Sequence, residues 1–242
     1  MIPPFDYATA YFLIGLVGML IGTAAFARAF LTDPRNRTYH ALLLGITGTA
    51  SVMYVFLILG IGRITVDGAP VHIAQYGQWI LATPLIVIYL GLLAGLSRRY
   101  IATLVVLDLI VMTTGLIAAV SADTVITWVF YGIGSIAYIP LIYGLTIGLT
   151  DAVATRPSPV VGLFRKLRNL TIIIWTFYPV LWILAPTGIG VITTEVEILL
   201  YVYADLIAKV GFGFIALRSQ VSLSRLPELD AVSALGLRGS DR

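Results

Sequence analysis

Seven long apolar segments dominate this sequence of 242 residues. They cover approximately residues 8–31, 38–62, 72–95, 100–120, 124–149, 163–186 and 194–218. A helix needs about 20 mostly apolar residues to cross the hydrocarbon core of a bilayer, and each segment meets that length. The sequence therefore predicts an all-α, multi-pass membrane protein, a bundle of seven transmembrane helices over residues 1–218. We expect the polar residues 219–242 to form a disordered cytoplasmic tail.

Composition agrees with a membrane location and excludes several kinds of site. Hydrophobic residues make up 59% of the chain and charged residues 11%, whereas soluble domains carry about 25% charged residues. The first segment has no small-residue cleavage pattern after it, which indicates a retained helix rather than a signal peptide. The absence of cysteine excludes disulfides and thiolate metal sites. The two histidines, His40 and His72, are expected near opposite faces of the membrane, so they do not suggest a metal site.

The basic residues predict the orientation of the bundle. Apart from Arg63 and Lys209, every Lys and Arg lies around the first, third or fifth connection or in the tail. The positive-inside rule makes that side cytoplasmic, so we expect the N-terminus outside the cell membrane and the C-terminus inside. This one-sided distribution also argues against a nucleic-acid partner, to which the net charge of +3 would otherwise point.

Three ionisable residues fall near the middle of a segment, namely Asp108, Asp205 and Lys209. A charge at the bilayer centre costs at least about 2.5 kcal/mol on insertion scales, so each residue is a candidate functional group. Asp205 and Lys209 are four residues apart, which places them on one helical face within reach of each other. A purely structural ion pair is the alternative explanation.

Large rings accompany these charges. Trp175, Tyr178 and Trp182 share one face of the sixth segment around Pro179, and the third segment carries Trp79. A ring-lined slot beside a buried amine suits a long, flat, apolar aldehyde, because a neutral lysine condenses with an aldehyde to form an imine. Asp205 would balance the charge of that imine once it is protonated. Aromatic stacking between helices is the alternative for the rings alone.

Three stretches of the sequence, WILATPL, RNLTIIIWTFYPVLW and DLIAKVGFGFIAL, resemble microbial rhodopsins of the haloarchaeal branch that contains bacteriorhodopsin and the sensory rhodopsins. The resemblance covers roughly residues 8–218. It implies that Lys209 binds all-trans or 13-cis retinal as a protonated Schiff base, with Asp205 as its counterion. It further implies a retinal pocket formed by Tyr76, Trp79, Thr83, Ile86, Val111, Gly115, Gly134, Trp175, Tyr178, Pro179, Trp182 and Ala208. Asp108 matches a buried carboxylate that usually stays protonated, with Thr83 as its expected partner.

The chain also departs from the proton pumps of that family. Pumps carry Arg-Tyr-Ala-Asp-Trp where this sequence has Gln75-Tyr76-Gly77-Gln78-Trp79. Gln78 therefore replaces the proton acceptor, and glutamine does not take up a proton. Gln75 replaces the arginine, Ala82 replaces a hydroxyl residue, and Tyr89 replaces the acid that returns a proton to the Schiff base.

These departures predict a light receptor that signals through helices six and seven, with weak or no proton pumping, rather than an enzyme. The alternative is a light-driven transporter of protons or, less favoured, of anions. Anion pumps retain the arginine and a hydroxyl residue, which Gln75 and Gln78 do not match. Glu197 matches one member of the proton-release pair of the pumps, but its usual companion is here Thr187.

Tyr203 bears on the partners of such a receptor. Helical geometry places Tyr203 about 120° around the seventh helix from Lys209, so it faces away from the pocket. It matches a tyrosine through which phoborhodopsin-type sensors bind a two-helix transducer, although Ala208 replaces their usual threonine. Membrane lipid and a second copy of the chain in a homo-oligomer are the other candidate partners of this face.

The substitution at Gln78 leads to a spectral prediction. With one carboxylate fewer near the nitrogen, the protonated pigment should absorb at longer wavelength than a Gln78→Asp variant, since negative charge stabilises the ground state. Visible spectra of both proteins regenerated with retinal measure the shift. A wild-type maximum to the blue of the variant, with both pigments protonated, contradicts the prediction.

Overall fold

The computed structural model describes residues 6–154 and 156–219. Seven helical segments of this part are long and apolar enough to cross a membrane, as predicted. The helices are α1 (Tyr7–Thr32), α2 (Arg37–Ile58), α3 (Ile73–Ala94), α4 (Arg98–Val120), α5 (Thr124–Tyr143), α6 (Leu149–Val153), α7 (Ser158–Leu184), α8 (Thr194–Asp205) and α9 (Phe212–Arg218). Apart from Ser219, the predicted tail of residues 219–242 lies outside the described residues.

Two of the spans are interrupted by wider, π-helical turns. Gly144–Gly148 joins α5 to α6, and Leu206–Gly211 joins α8 to α9. The second turn contains Lys209 and lies inside the seventh span, Thr194–Arg218. Such turns often occur at functional sites, because they reorient a side chain without ending the helix. The sequence analysis did not predict either turn.

Polar residues just before the helices fix where several of them begin. Asp6 accepts a hydrogen bond from the backbone N–H of Thr9 at 2.8 Å at the start of α1. Asp123 accepts from the N–H groups of Val125 and Ile126 at 2.8 and 3.0 Å and so caps α5. These side chains satisfy amides that have no partner within the helix. Helix boundaries are therefore set locally by the sequence.

A β-hairpin between α2 and α3 is the main departure from the prediction. Strands β1 (Arg63–Val66) and β2 (Ala69–His72) pair antiparallel. The turn residues Asp67 and Gly68 have φ of 48° and 82°, the left-handed conformation that a two-residue hairpin requires. The second segment was predicted to run to residue 62, and this boundary is wrong, since α2 ends at Ile58. We call this end of the bundle the hairpin end.

The other boundary difference concerns the sixth span, which begins at Ser158 rather than near residue 163. Hydropathy marks only the part of a helix that matches the hydrocarbon, and a helix can continue beyond it with polar residues. Arg165, Lys166 and Arg168 lie within this polar first half of α7. The predicted window was therefore too short at its N-terminal end.

Burial distinguishes a central helix from a peripheral one. The most apolar window of α3 is 67% buried, whereas that of the fifth span is 22% buried. Ile136 and Ile139 of α5 are 70% and 69% exposed, as expected of side chains that face lipid. Most side chains of α3 are consequently held in place by neighbouring helices, which makes α3 the scaffold for the site.

Close packing of α9 against α1 gives a stability prediction. A Cβ at Gly213 would collide with the ring of Phe26, which is fully buried. Overpacking a core typically costs about 1–3 kcal/mol, so Gly213→Ala should lower the unfolding midpoint measured in a detergent or bilayer titration. Gly132→Ala is the matched control, because a Cβ there meets no atom within 4 Å. Equal midpoints for the two variants would contradict the packing assignment.

Candidate functional site

A buried ion pair lies at the centre of the seventh span. The Nζ atom of Lys209 donates a hydrogen bond to Oδ1 of Asp205. Lys209 is 1% exposed and Asp205 is not exposed. Two charges at this depth are tolerated only when each has close partners. The contact expected from their spacing is therefore present, across the start of the π turn.

The Asp205 carboxylate accepts hydrogen bonds from residues of three further spans. Its neutral donors among the described residues are Tyr54 (3.1 Å), Gln75 (3.0 Å), Gln78, Trp79 (3.1 Å) and Tyr178 (2.6 Å). Every one of these groups donates to the carboxylate, and an ionised carboxylate can only accept. The arrangement therefore stabilises a negative charge at Asp205. Tyr54 of α2 was not among the residues predicted from the sequence.

Lys209 lies in the wall of an apolar cavity of about 300 Å³. The twelve pocket residues implied by the resemblance all line it. Trp79 lies within ring contact of Tyr76, Tyr178 and Tyr201, with centroids 5.0–5.1 Å apart. Trp182 donates from its indole N–H to the hydroxyl of Tyr76 at 3.0 Å. The rings thus form fixed walls on the α3, α7 and α8 sides.

The acids and amides that were predicted with the pocket lie just behind its walls. Gln78 and Asp205 are in contact with each other but do not line the cavity. Asp108 reaches the cavity wall through Thr83, whose hydroxyl lies 2.8 Å from Oδ2 of Asp108, as expected. The same hydroxyl lies 2.8 Å from the backbone carbonyl of Trp79.

The hydroxyl of Thr83 has two acceptors within reach, the Trp79 carbonyl and Oδ2 of Asp108, but only one proton. When that proton is donated to the carbonyl of Trp79, the Asp108 carboxyl completes the second contact by donating a proton of its own. Oδ1 of Asp108 is buried without a hydrogen-bond partner among the described residues, which would be costly for a carboxylate. The unpartnered oxygen therefore favours a neutral Asp108.

The sequence analysis predicted only Gly134 on the α5 side of the cavity and missed the side chains around it. The lining residues it did not include are Met112, Tyr131, Ser135, Tyr138, Leu141, Thr176, Val180 and Tyr201. Tyr131, Gly134, Ser135 and Tyr138 follow the i, i+3, i+4, i+7 spacing of one helical face. That spacing was visible in the sequence, but it gives no indication of which neighbouring helix the face meets.

A second, smaller cavity of about 30 Å³ lies toward the hairpin end. His72, Gln75, Thr187 and Glu197 contribute polar groups to its wall, which brings the incomplete Glu197 and Thr187 pair to one place. Burial, followed by the nearby Arg63, lowers the pKa of His72 to about 4. His72 is therefore uncharged at neutral pH, and the cavity has room for one or two water molecules.

Two further tyrosines have contrasting environments. The hydroxyl of Tyr89 is buried without a hydrogen-bond partner among the described residues, between the rings of Tyr39 and Phe212. Tyr203 is 54% exposed and lies away from the cavity, as expected.

Glu195 is exposed beside Glu197 at the hairpin end.

The structure has seven spans, a buried lysine in the last of them and a ring-lined cavity that this lysine borders. These features together define a rhodopsin-type membrane protein. The family model of bacteriorhodopsin-like proteins matches residues 6–223. The chain belongs to this family and is a multi-pass membrane protein.

Known relatives include both sensors and pumps. Sensory rhodopsin-2 of Natronomonas pharaonis is 41% identical over 216 residues, or 89% of this chain and 90% of that protein. The thermophilic rhodopsin of Rubrobacter xylanophilus is 34% identical with a TM-score of 0.87, over 93% of this chain and 99% of that one. The light-driven proton pump LR (Mac) of Leptosphaeria maculans is 30% identical with a TM-score of 0.83, over 92% of this chain and 98% of that one.

The neutral state of Asp108 can be tested by infrared spectroscopy. We expect a carboxylic-acid C=O band at neutral pH that disappears in Asp108→Asn and moves to higher frequency in Thr83→Val, which loses the hydrogen bond. Asp123→Asn is the control, because Asp123 is an exposed helix cap. Persistence of the whole band in Asp108→Asn would show that another acid carries the proton.

Proposed function

We propose that this protein is a light receptor in which Lys209 holds retinal as a Schiff base and Asp205 serves as the counterion. The observation that carries the proposal is that Lys209 lines a ring-lined apolar cavity while its amine is paired with a single carboxylate. Retinal, when bound, supplies absorption of visible light and isomerisation about a double bond. The volume and the apolar lining of the cavity suit this molecule.

The side chains around the cavity would hold and orient the ligand. Trp79, Trp175 and Trp182 are all buried and present flat apolar faces to the cavity. Ala208 and Gly115 leave space where larger side chains would obstruct it. Burial of this lining excludes water from the Lys209 nitrogen, which protects an imine from hydrolysis.

Charge around Lys209 argues against efficient proton transport. Asp205 is tied to five neutral donors, and accepting a proton would weaken these bonds. Gln78, at the place of the usual acceptor, donates to Asp205 and has no site for a proton at ordinary pH. A proton on the Lys209 nitrogen therefore has no ready acceptor on this side of the cavity.

The opposite side of the cavity lacks a ready proton donor. Tyr89 replaces the donor acid, and its buried hydroxyl has no hydrogen-bond partner among the described residues. A phenol is an ordinary donor only near pH 10, so it would return a proton slowly. Gln78 and Tyr89 therefore both favour a slow photocycle, which suits a receptor better than a pump.

A receptor needs a path from the cavity to the surface. Pro179 lies in α7 against the cavity, and Lys209 lies in the π turn of the seventh span, so both spans are in contact with the ligand site. Tyr203 and Ile207, 54% and 43% exposed, form an outward face on the seventh span. We propose this face as the site for a two-helix transducer, in keeping with the 41% identity to a sensory rhodopsin-2. Lipid and a homo-oligomeric neighbour are the competing occupants.

We further propose that the hairpin end faces outward and that residues 219–242 form a cytoplasmic tail, because the basic residues are concentrated on the opposite side.

A light-driven ion transporter is the second candidate function. It is favoured by the likeness to a light-driven proton pump and by the polar cavity that holds Glu197 below Asp205.

Pigment formation tests the proposal directly. The protein expressed with all-trans retinal should absorb in the visible, and Lys209→Ala should give no visible band, because no other buried amine lines the cavity within the described residues. A visible pigment of the same spectrum in Lys209→Ala would overturn the assignment.

Flash photolysis and light-induced pH recording separate the receptor from the pump. Loss of the proton from the Lys209 nitrogen should be on the order of a hundredfold slower than in Gln78→Asp, because a positioned base contributes about that factor. Illuminated vesicles should show little net proton movement. Sustained acidification of the outer medium by the wild type would favour the transporter.

A further inference from the structure

Four residues that carry hydroxyl groups line one side of the large cavity. Tyr131, Ser135 and Tyr138 belong to α5, and Thr176 lies opposite them on α7. We call these four residues the α5 wall. The rest of the lining is mostly aromatic and aliphatic, so a cluster of hydroxyls here is not needed to hold an all-hydrocarbon ring.

Each hydroxyl in the α5 wall already donates its proton in a hydrogen bond within the protein. Thr176 donates to the carbonyl of Ile172 at 2.8 Å and Ser135 to the carbonyl of Tyr131 at 2.9 Å. Tyr131 donates to the carbonyl of Pro179 at 3.2 Å. Because Thr176 has used its proton, the 2.8 Å contact between Tyr138 and Thr176 requires Tyr138 to donate.

The α5 wall therefore presents acceptors and no free donors. A hydroxyl oxygen has two lone pairs, and only Thr176 uses one of them within the wall. The hydrocarbon of a membrane offers no hydrogen-bond donors. A molecule in the cavity is consequently the natural source of a donor for these oxygens.

The α5 wall lies across the cavity from Lys209. α5 packs on α4, whereas the seventh span that carries Lys209 packs on α1, α2 and α7. A ligand attached to Lys209 would therefore place its far end against the α5 wall. The fifth and sixth spans also pack less closely than the fourth and fifth, and Val180 on the cavity border is 48% exposed. This looser contact leaves room for a substituent on that end.

We propose that the α5 wall is a specificity site for a retinal whose ring carries a hydroxyl group. The ring hydroxyl donates to Tyr138 or Ser135, while its aldehyde end reaches Lys209. A ring ketone has only acceptors to offer and is disfavoured. This inference rests on the proposed function, since it assumes a retinal-class ligand on Lys209.

Competition between aldehydes tests the specificity. The membrane-embedded full-length protein, prepared without retinal, is incubated with a limiting equimolar mixture of all-trans retinal and 4-hydroxyretinal, and the bound chromophores are extracted as oximes and quantified. One net hydrogen bond gives about fivefold enrichment of the hydroxylated form. A parallel mixture of retinal with 4-oxoretinal should be enriched in retinal.

Variants assign the effect to the wall. Tyr138→Phe and Ser135→Ala each remove an acceptor oxygen, so the enrichment should fall toward one in at least one of them, while the total pigment shows that the protein still folds. Tyr143→Phe is the matched control, because Tyr143 is an exposed tyrosine of the same helix outside the cavity lining. It should keep the full enrichment.

The outcomes that overturn the inference differ from those that overturn the proposed function. Equal uptake of the two aldehydes by the wild type, uptake of the ketone equal to that of the alcohol, or unchanged enrichment in both wall variants contradicts the specificity site while visible pigment still forms. Absence of pigment with every aldehyde contradicts the proposed function itself, and the specificity site with it.

Discussion

The buried pair of Lys209 and Asp205 is the interaction on which the arrangement of the bundle depends. An unpaired charge at this depth would cost several kcal/mol, so both residues must be surrounded by complementary groups. Tyr54 of α2, Gln75 of α3 and Tyr178 of α7 each give a hydrogen bond to Asp205. The hydrogen bonds to this one carboxylate thus connect the second, third, sixth and seventh spans, directly beside the cavity.

The same fold accommodates proteins with different activities, and the proposed receptor role rests on the distribution of charge near Lys209. A proton pump with a TM-score of 0.83 shares the bundle, and this chain has amides at Gln75 and Gln78. These amides donate to Asp205 and keep its negative charge in place, whereas an additional acid would offer a destination for a proton. A change of a few side chains can therefore alter the activity without altering the helix packing.

Local and periodic patterns made much of the site predictable. The four-residue spacing of Asp205 and Lys209 indicated their contact, and the ring spacing of Trp175 and Trp182 indicated a shared face that lines the cavity. Tyr54 could not be assigned in this way, because its bond to Asp205 joins residues 151 positions apart. The hydroxyls of α5 were missed for the same reason, since their role depends on which helix lies opposite.

The sequence by itself determined the membrane class, the number of spans and the residues able to carry charge inside the bilayer, because hydropathy and helical spacing are local properties of the chain. Only the tertiary structure decided how those residues meet. The convergence of donors on Asp205 from the second, third and sixth spans depends on packing between distant segments. Hydrogen bonds of this kind are specified by where side chains end in space, and no single stretch of sequence contains that information.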